Sequence, residues 1–254
     1  MKNFIIIGAS SGLGAALVNQ FISAKDSTNI VGVARTPFEK IENRKEWGTC
    51  SKYTHLEVDI TLPVCVERLK AVLAKFNNEP VCVIFNAAIV KTEIAADGVI
   101  NYGTFRDINR VGIDGFGNIL EACGDYLYKY GGAFVGISSF SAYVAPFLEP
   151  RIAYPASKAY LDMALRCLRS LWKGKVRVVT VHLGHLGNVS LNSSVSYSAA
   201  AKKIAHALFK KNIPNEINYP LSYCIVYKYI FKFIPDNLYL KLLQLFCRLT
   251  GNKK

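Results

Sequence analysis

Short apolar runs alternate with stretches of helical periodicity along most of this chain, and that rhythm constrains the fold more than any other feature. Residues 4–7, 30–34, 54–58, 81–85, 133–137 and 176–182 are rich in β-branched and other apolar side chains at strand length. Residues 15–22, 62–76, 102–130 and 154–172 carry helical spacing, with Thr61 placed to cap the second of these and Pro63 in its first turn. Strands that are apolar on nearly every residue leave no face for water. They predict a parallel sheet covered by helices on both faces, a doubly wound α/β fold. The 254 residues suit one such domain over 1–254, with no internal repeat and no low-complexity linker.

After Gly187 the rhythm breaks. Residues 188–198 are rich in Ser and Asn and read as a loop, 199–211 as a basic amphipathic helix, and 216–219 as a short last strand. Residues 221–249 are crowded with Tyr, Phe, Ile and Leu, with Lys228, Lys232, Lys241 and Arg248 spaced among them. Pro235 divides that stretch into two helices. Residues 188–254 therefore read as a substrate lid followed by a basic, aromatic tail.

Half the residues (51%) are hydrophobic, which supplies a sizeable core and excludes global disorder. The seven Cys are scattered singly and form no CxxC pair, so they read as reduced, largely core thiols of a cytoplasmic protein and not as a zinc site or disulfide framework. His182 and His185 form an HxxH without companion ligands, which is read as a strand end and a loop, not a metal site. The start runs through a short apolar stretch straight into a glycine loop, unlike a signal peptide. No apolar run reaches the ~18 residues of a spanning helix.

Charge is unevenly placed. Residues 1–150 carry 14 basic and 15 acidic side chains, whereas residues 151–254 carry 17 and 3, a net of +14. Two readings stay open: a basic solvated surface, or attraction to phosphates or an anionic membrane. No nucleic-acid reader motif accompanies the charge, so no nucleic-acid partner is expected.

Three motifs carry chemistry. Gly8-x3-Gly12-x-Gly14 directly follows the first strand and opens a helix. Such glycines let the backbone turn tightly and approach a pyrophosphate, while the helix N-terminus offers free N–H groups. At the end of the second strand, Ala34 stands where NAD-selective sites place an acid, and Arg35 offers a fork for a 2′-phosphate. That pattern predicts NADP(H) in preference to NAD(H). Tyr154 and Lys158, four apart on a helix, share one face. An ammonium beside a phenol favours the phenolate and would bring its pKa down towards neutrality.

In this order and setting the chain resembles a single-domain short-chain dehydrogenase/reductase, over about residues 3–190. The glycine motif, Asp59, Asn86-Ala87-Ala88, Ser138-Ser139, Tyr154 and Lys158 all fall in family order. The resemblance implies a Rossmann-like fold and a cofactor site drawn from Gly8, Ser10, Ser11, Gly12, Leu13, Gly14, Arg35, Asp59, Ile60, Asn86, Ala87, Tyr154, Lys158, Leu186 and Asn188. Asp59 would hydrogen-bond the adenine amine, Asn86 would brace the sheet, and Lys158 would hold the nicotinamide ribose. Ser139, Tyr154 and Lys158 would form the catalytic set, with Ser141 as the alternative serine because its spacing to Tyr154 is the commoner one.

The chain also departs from the family pattern. Its turn after the fourth strand reads Phe85-Asn86-Ala87-Ala88 where the family has Asn-Asn-Ala-Gly. Gly112 stands at the place of the family's fourth catalytic residue, an Asn whose main-chain carbonyl holds a relay water; Asn109, one turn earlier, is placed to compensate. Leu183-Gly184-His185-Leu186-Gly187-Asn188 replaces the family's Pro-Gly-x-x-x-Thr segment, leaving Leu186 and Asn188 to meet the carboxamide or pyrophosphate. The substrate pocket is expected from 90–94, 143–150 and 188–220, with His185 as a further contact.

The expectation is thus an NADPH-dependent carbonyl reductase, or the reverse alcohol dehydrogenase, on an apolar or lipid-linked small molecule. The resemblance implies a homodimer or homotetramer packed through 102–130 and 154–172. Two readings of the tail stay open: it packs on the body or on a partner subunit, or it rests on an anionic membrane. A non-catalytic dinucleotide sensor or scaffold of the same fold is the alternative, and Gly112 is the feature in its favour. A nucleotide-sugar epimerase fits less well, because the chain is short and its glycine spacing differs.

Overall fold

A computed structural model describes residues 2–42, 44–95, 97–144, 151–187 and 195–249. Strands β1 (Asn3–Ile7), β2 (Asn29–Ala34), β3 (Tyr53–Glu57), β4 (Val81–Phe85), β5 (Gly132–Ser139), β6 (Val176–Leu183) and β9 (Glu216–Tyr219) form one sheet, and β7 (Leu186–Gly187) pairs separately with β8 (Val195–Ser196). The large sheet runs β3-β2-β1-β4-β5-β6-β9, and every neighbouring pair is parallel. This is the doubly wound, Rossmann-like arrangement that the apolar strands predict.

All five residues of β1 are buried because successive side chains serve opposite faces. Phe4 and Ile6 join α1 (Gly12–Ile22) and α7 (Tyr197–Leu208) on one side. Ile5 and Ile7 join α3 (Val64–Ala74), α5 (Gly115–Tyr130) and α6 (Ala153–Leu171) on the other. Aromatic pairs anchor each layer. Phe4 stacks on Phe21 at 4.0 Å, and Phe116 meets Phe85 and Phe134 edge-on at 5.5 and 5.8 Å. A short α2 (Arg44–Gly48), not foreseen in the sequence, seats Trp47 against the first layer, its indole donating to Asn19 Oδ1 at 2.6 Å.

Three boundaries differ from expectation. Thr61 does not cap α3: its amide and hydroxyl both donate to Asp59 Oδ1, and the helix begins after Pro63. Ser196 caps α7 by accepting from the Ala199 amide, so the helix starts at Tyr197, inside the stretch read as loop. The single helix expected over 102–130 is interrupted. It comprises α4 (Tyr102–Asn109), a π turn at Arg110–Asp114, and α5.

The tail begins with α8 (Leu221–Tyr223), passes through a π turn (Cys224–Ile230) and a 3₁₀ turn (Phe231–Phe233), and restarts after Pro235 as α9 (Asp236–Leu249). Cys224 is buried, Tyr227 stacks on Phe140 at 6.4 Å, and Lys228 pairs with Glu216. Beyond these anchors the tail keeps large apolar side chains in solvent, including Phe233 at 72% and Leu245 at 52% exposure. No helix among the described residues is long and apolar enough to cross a membrane.

The π turn explains Gly112. A Cβ there would lie 2.8 Å from Ser157 Cβ, so the helix pair closes only over a glycine. Such a clash outweighs the ~1 kcal/mol that alanine gains over glycine in a helix. Gly112→Ala should therefore lower unfolding stability by about 1–2 kcal/mol in urea. Equal stability of Gly112→Ala and wild type would refute this packing account.

Candidate active site

The strand order reverses between β1 and β4, which opens a crevice at their carboxyl ends. Gly8 leaves β1 with φ +82°, and a Cβ on it would sit 2.8 Å from Ala87 Cα. A Cβ on Gly14 would sit 1.9 Å from the Gly8 carbonyl oxygen, which also accepts Asn86 Nδ2 at 2.9 Å. These approaches seat the start of α1 directly beneath the strand ends. Ser11 gives that helix no side-chain cap, and its first turn holds no acid. Its N–H groups face a cleft of about 620 Å³ whose lining includes Ser10, Ser11, Gly12, Asn19, Ser196 and Tyr197. Uncapped amides at a positive helix end, with backbone approach that any side chain would block, fit the pyrophosphate of a dinucleotide.

The other expected cofactor residues surround this turn. Ser10 Oγ accepts from Thr36 Oγ1 at 3.3 Å, whereas Leu13 is buried in the core and offers only its backbone. Arg35 is 62% exposed, its Nη1 3.8 Å from Asp59 Oδ2, so the guanidinium fork remains open to solvent. Ile60 turns its side chain inward, where a Cβ on Gly115 would touch it, and its carbonyl accepts from Asn118 Nδ2 at 2.8 Å. Leu186 lies on β7 and packs partly against the α1–α7 layer. Asn188 lies outside the described residues, as does 145–150 of the expected substrate wall.

At the carboxyl end of β5, Ser139 lies close enough to the Tyr154 phenol to pull its pKa down. Ser139 Oγ also accepts from the Ser141 amide at 3.2 Å and the Ser141 hydroxyl at 3.0 Å. Ser139 therefore meets the phenol, and Ser141 supports it from behind. Lys158 is 5% exposed, donates to the Ile137 carbonyl at 2.7 Å, and lies 5.6 Å from the Tyr154 ring centroid. Burial lowers its pKa to about 8, against the opposing pull of the Asp162 charge. Burial also pushes the Tyr154 phenol above its ordinary value, while Ser139 and the Arg151 guanidinium act against that. The lowering of the Tyr154 pKa by Lys158 expected from the sequence is thus not found: burial raises it, and the groups acting against burial are Ser139 and Arg151. The ammonium is turned to a carbonyl, and the phenol keeps its proton. Between Gly112, Tyr154, Ser157 and Lys158 lies a cavity of about 10 Å³, room for about one water centre.

Two clusters beside the site were not read from sequence. Buried His182 on β6 places Nε2 2.7 Å from Asp162 Oδ2 and 2.9 Å from the Tyr143 hydroxyl, with Nδ1 3.1 Å from Asn218 Oδ1. Burial and the Asp162 charge raise the Tyr143 pKa. Buried Glu93, on the loop after β4, accepts from the Ile152 and Ala153 amides at 2.5 and 2.7 Å. Neither cluster has a sequence motif, because its members come from separate elements. The i, i+4 spacing of Lys158 and Asp162 is the one signal available.

Comparison with known proteins agrees with this fold. The family model described as short chain dehydrogenase matches residues 2–200. An uncharacterized oxidoreductase of Schizosaccharomyces pombe is 28% identical over 185 residues, 72% of this chain and 70% of that protein. A short-chain dehydrogenase from Streptomyces avermitilis superposes with a TM-score of 0.73 at 19% identity, covering 99% of this chain and 98% of its own. An NADPH-bound carbonyl reductase from chicken fatty liver gives 0.71 at 16% identity, covering 86% and 96%.

Proposed function

This chain belongs to the short-chain dehydrogenase family and is an oxidoreductase of it, and on that premise we propose an NADP(H)-dependent carbonyl reductase. The observation that carries the reading is the convergence of Ser139 and buried Lys158 on Tyr154, with the lysine ammonium 5.6 Å from the phenol ring centroid. NADP(H) is supported by the open Arg35 fork, by Ala34 in place of an acid, and by several similar structures that hold NADP or NADPH. The single domain spans 1–254, with 188–254 as lid and tail.

NADPH, when bound, would supply the hydride to the substrate carbonyl carbon. Gly8, Ser10, Ser11, Gly12 and Gly14 would hold its pyrophosphate by backbone and hydroxyl groups, and Arg35 its 2′-phosphate. Asp59, the Ile60 backbone, Asn86 and Ala87 would meet the nucleoside, and Leu186 the carboxamide end, with Asn188 assigned there from the sequence alone. Ser139 donates to the substrate oxygen and orients it. Tyr154, held protonated by burial, passes its phenolic proton to that oxygen as negative charge develops. Lys158 stabilises the phenolate left behind and positions the ribose. To reset the site Lys158 returns a proton to the Tyr154 phenolate, and the one-water cavity against Gly112 and Lys158 leaves a path by which solvent replaces it, although the family's Asn is absent. Gly112 is also the observation favouring a dinucleotide sensor without turnover.

The exposed Tyr160, Met163 and Leu171 on α6 support a homo-oligomer packed through the long helices. The tail supports peripheral contact with an anionic membrane. Ile225, Tyr229, Ile230, Phe233, Leu240 and Leu245 stand in solvent, and Lys232 and Lys241 stand among them.

The purified protein should oxidise NADPH with an apolar ketone. Tyr154→Phe should cut kcat about 10²–10⁴-fold while NADPH affinity stays within about twofold; undiminished turnover would refute the assignment. Turnover that needs the Lys158 ammonium should be flat below pH 8 and fall as pH rises through about 8, since deprotonation removes the charge facing the phenolate. A rate that climbs across that range would contradict the role given to Lys158. Phosphatidylserine vesicles should pellet the protein better than phosphatidylcholine vesicles, and added salt or Phe233→Asp should abolish the difference. Equal pelleting with both lipids, or a dimer that buries the tail, would refute membrane contact.

A further inference from the structure

The first turn of α6 must satisfy amides that have no partner within the helix. Its capping residue, Ile152, has no polar side chain, and no local cap is made. A Ser or Asn at 152 would be the ordinary local solution. Instead Glu93, 59 residues earlier in the chain, brings one carboxylate oxygen onto the amides of Ile152 and Ala153 at 2.5 and 2.7 Å. Glu93 is 1% exposed, and its other oxygen is buried without a partner among the described residues. A half-satisfied buried carboxylate costs stability. Stability alone would favour the local cap.

The main chain of the same residue holds a second helix. The Glu93 carbonyl accepts the Asn101 amide at 2.7 Å, and Asn101 Oδ1 accepts the Thr104 amide at 3.0 Å to cap α4. An antiparallel bridge between Ile94 and Ile100 closes the chain between the two anchors. Beyond α4, Gly112 rests against Ser157 of α6. The loop leaving β4 therefore starts both helices that enclose the small cavity at Lys158. The amides it pins immediately precede Tyr154.

The geometry points to Glu93 as a positioning residue for the reaction: a clasp that fixes the axial setting of Tyr154 between Ser139 and Lys158 by anchoring the start of α6 to the loop after β4. The inference rests on the reductase reading for its kinetic consequence, not for the clasp itself. An acceptor oxygen is what the clasp requires, and the charge is not. Glu93→Gln should hold the two amides, and Glu93→Ala should release them.

The test compares the wild type with both variants by amide exchange over 152–156, NADPH binding and steady-state kinetics. Glu93→Ala should speed exchange in this turn about tenfold and lower kcat about tenfold, with KM and NADPH affinity within about twofold. Glu93→Gln should restore both quantities to within about threefold. Unchanged exchange in Glu93→Ala, or Glu93→Gln as impaired as Glu93→Ala, would overturn the clasp. If Glu93→Ala does not fold, Glu93→Asp serves instead, because its shorter stem withdraws the oxygen from both amides. If the wild type turns over no ketone, the exchange measurement still decides the clasp and the reductase reading alone falls.

Discussion

The Gly8 carbonyl oxygen is the point on which the rest of the molecule depends. It accepts Asn86 Nδ2 from the end of β4, and it occupies the space that any side chain at position 14 would need. One atom thereby joins the first strand, the first helix and the strand across the switch point. That junction sets the N-terminus of α1 below the crevice, with its amides uncapped. Loosening it would separate the cofactor cradle from the loop that continues toward the reactive side chains. The close fit follows from parallel strands ending at one level, since β1 and β4 pair in register from Asn3 and Val81 to Ile7 and Phe85.

From Asn86 the same connection runs on through Glu93 to α6. Tyr154 and Lys158 sit on a helix whose inner face is buried against β5 and β6, so their depth is set by packing. Burying them has electrostatic consequences. It drives the Lys158 ammonium toward neutrality and holds the Tyr154 phenol protonated. A phenol with its proton beside a serine suits a donor in carbonyl reduction. The Asp162 charge, shared with His182, offsets part of the cost of keeping Lys158 charged.

The tail obeys different physics. Its inner side is held by Cys224, by Tyr227 on Phe140 and by Lys228 on Glu216. Its outer side leaves leucines and aromatics in water that a monomer would ordinarily cover. The basic excess of residues 151–254 disfavours like meeting like and favours an anionic surface. The anchoring side touches Phe140, the residue next to Ser139, so whatever meets the tail lies close to the candidate active site.

The sequence by itself determined the sheet, the strand ends and the identity of the chemical groups. Continuous apolar strands admit few arrangements, and the glycine run announces backbone that favours glycine, through close approach at Gly8 and Gly14 and a φ of +53° at Gly12. Tyr154 and Lys158 stood out by their helical spacing, and Ser139 was chosen only through the family resemblance. Tertiary structure alone decided that Ser139 and not Ser141 meets the phenol, that Gly112 is demanded by Ser157, and that Thr61 serves Asp59 instead of capping α3. It also set the direction of each pKa shift, down for Lys158 and up for Tyr154; the spacing misjudged the phenol because burial dominates there and Lys158 turns its ammonium to the Ile137 carbonyl. Glu93 and the His182 cluster were invisible for the same physical reason. Their partners are brought together by packing across elements far apart in the chain, and no local periodicity records such contacts.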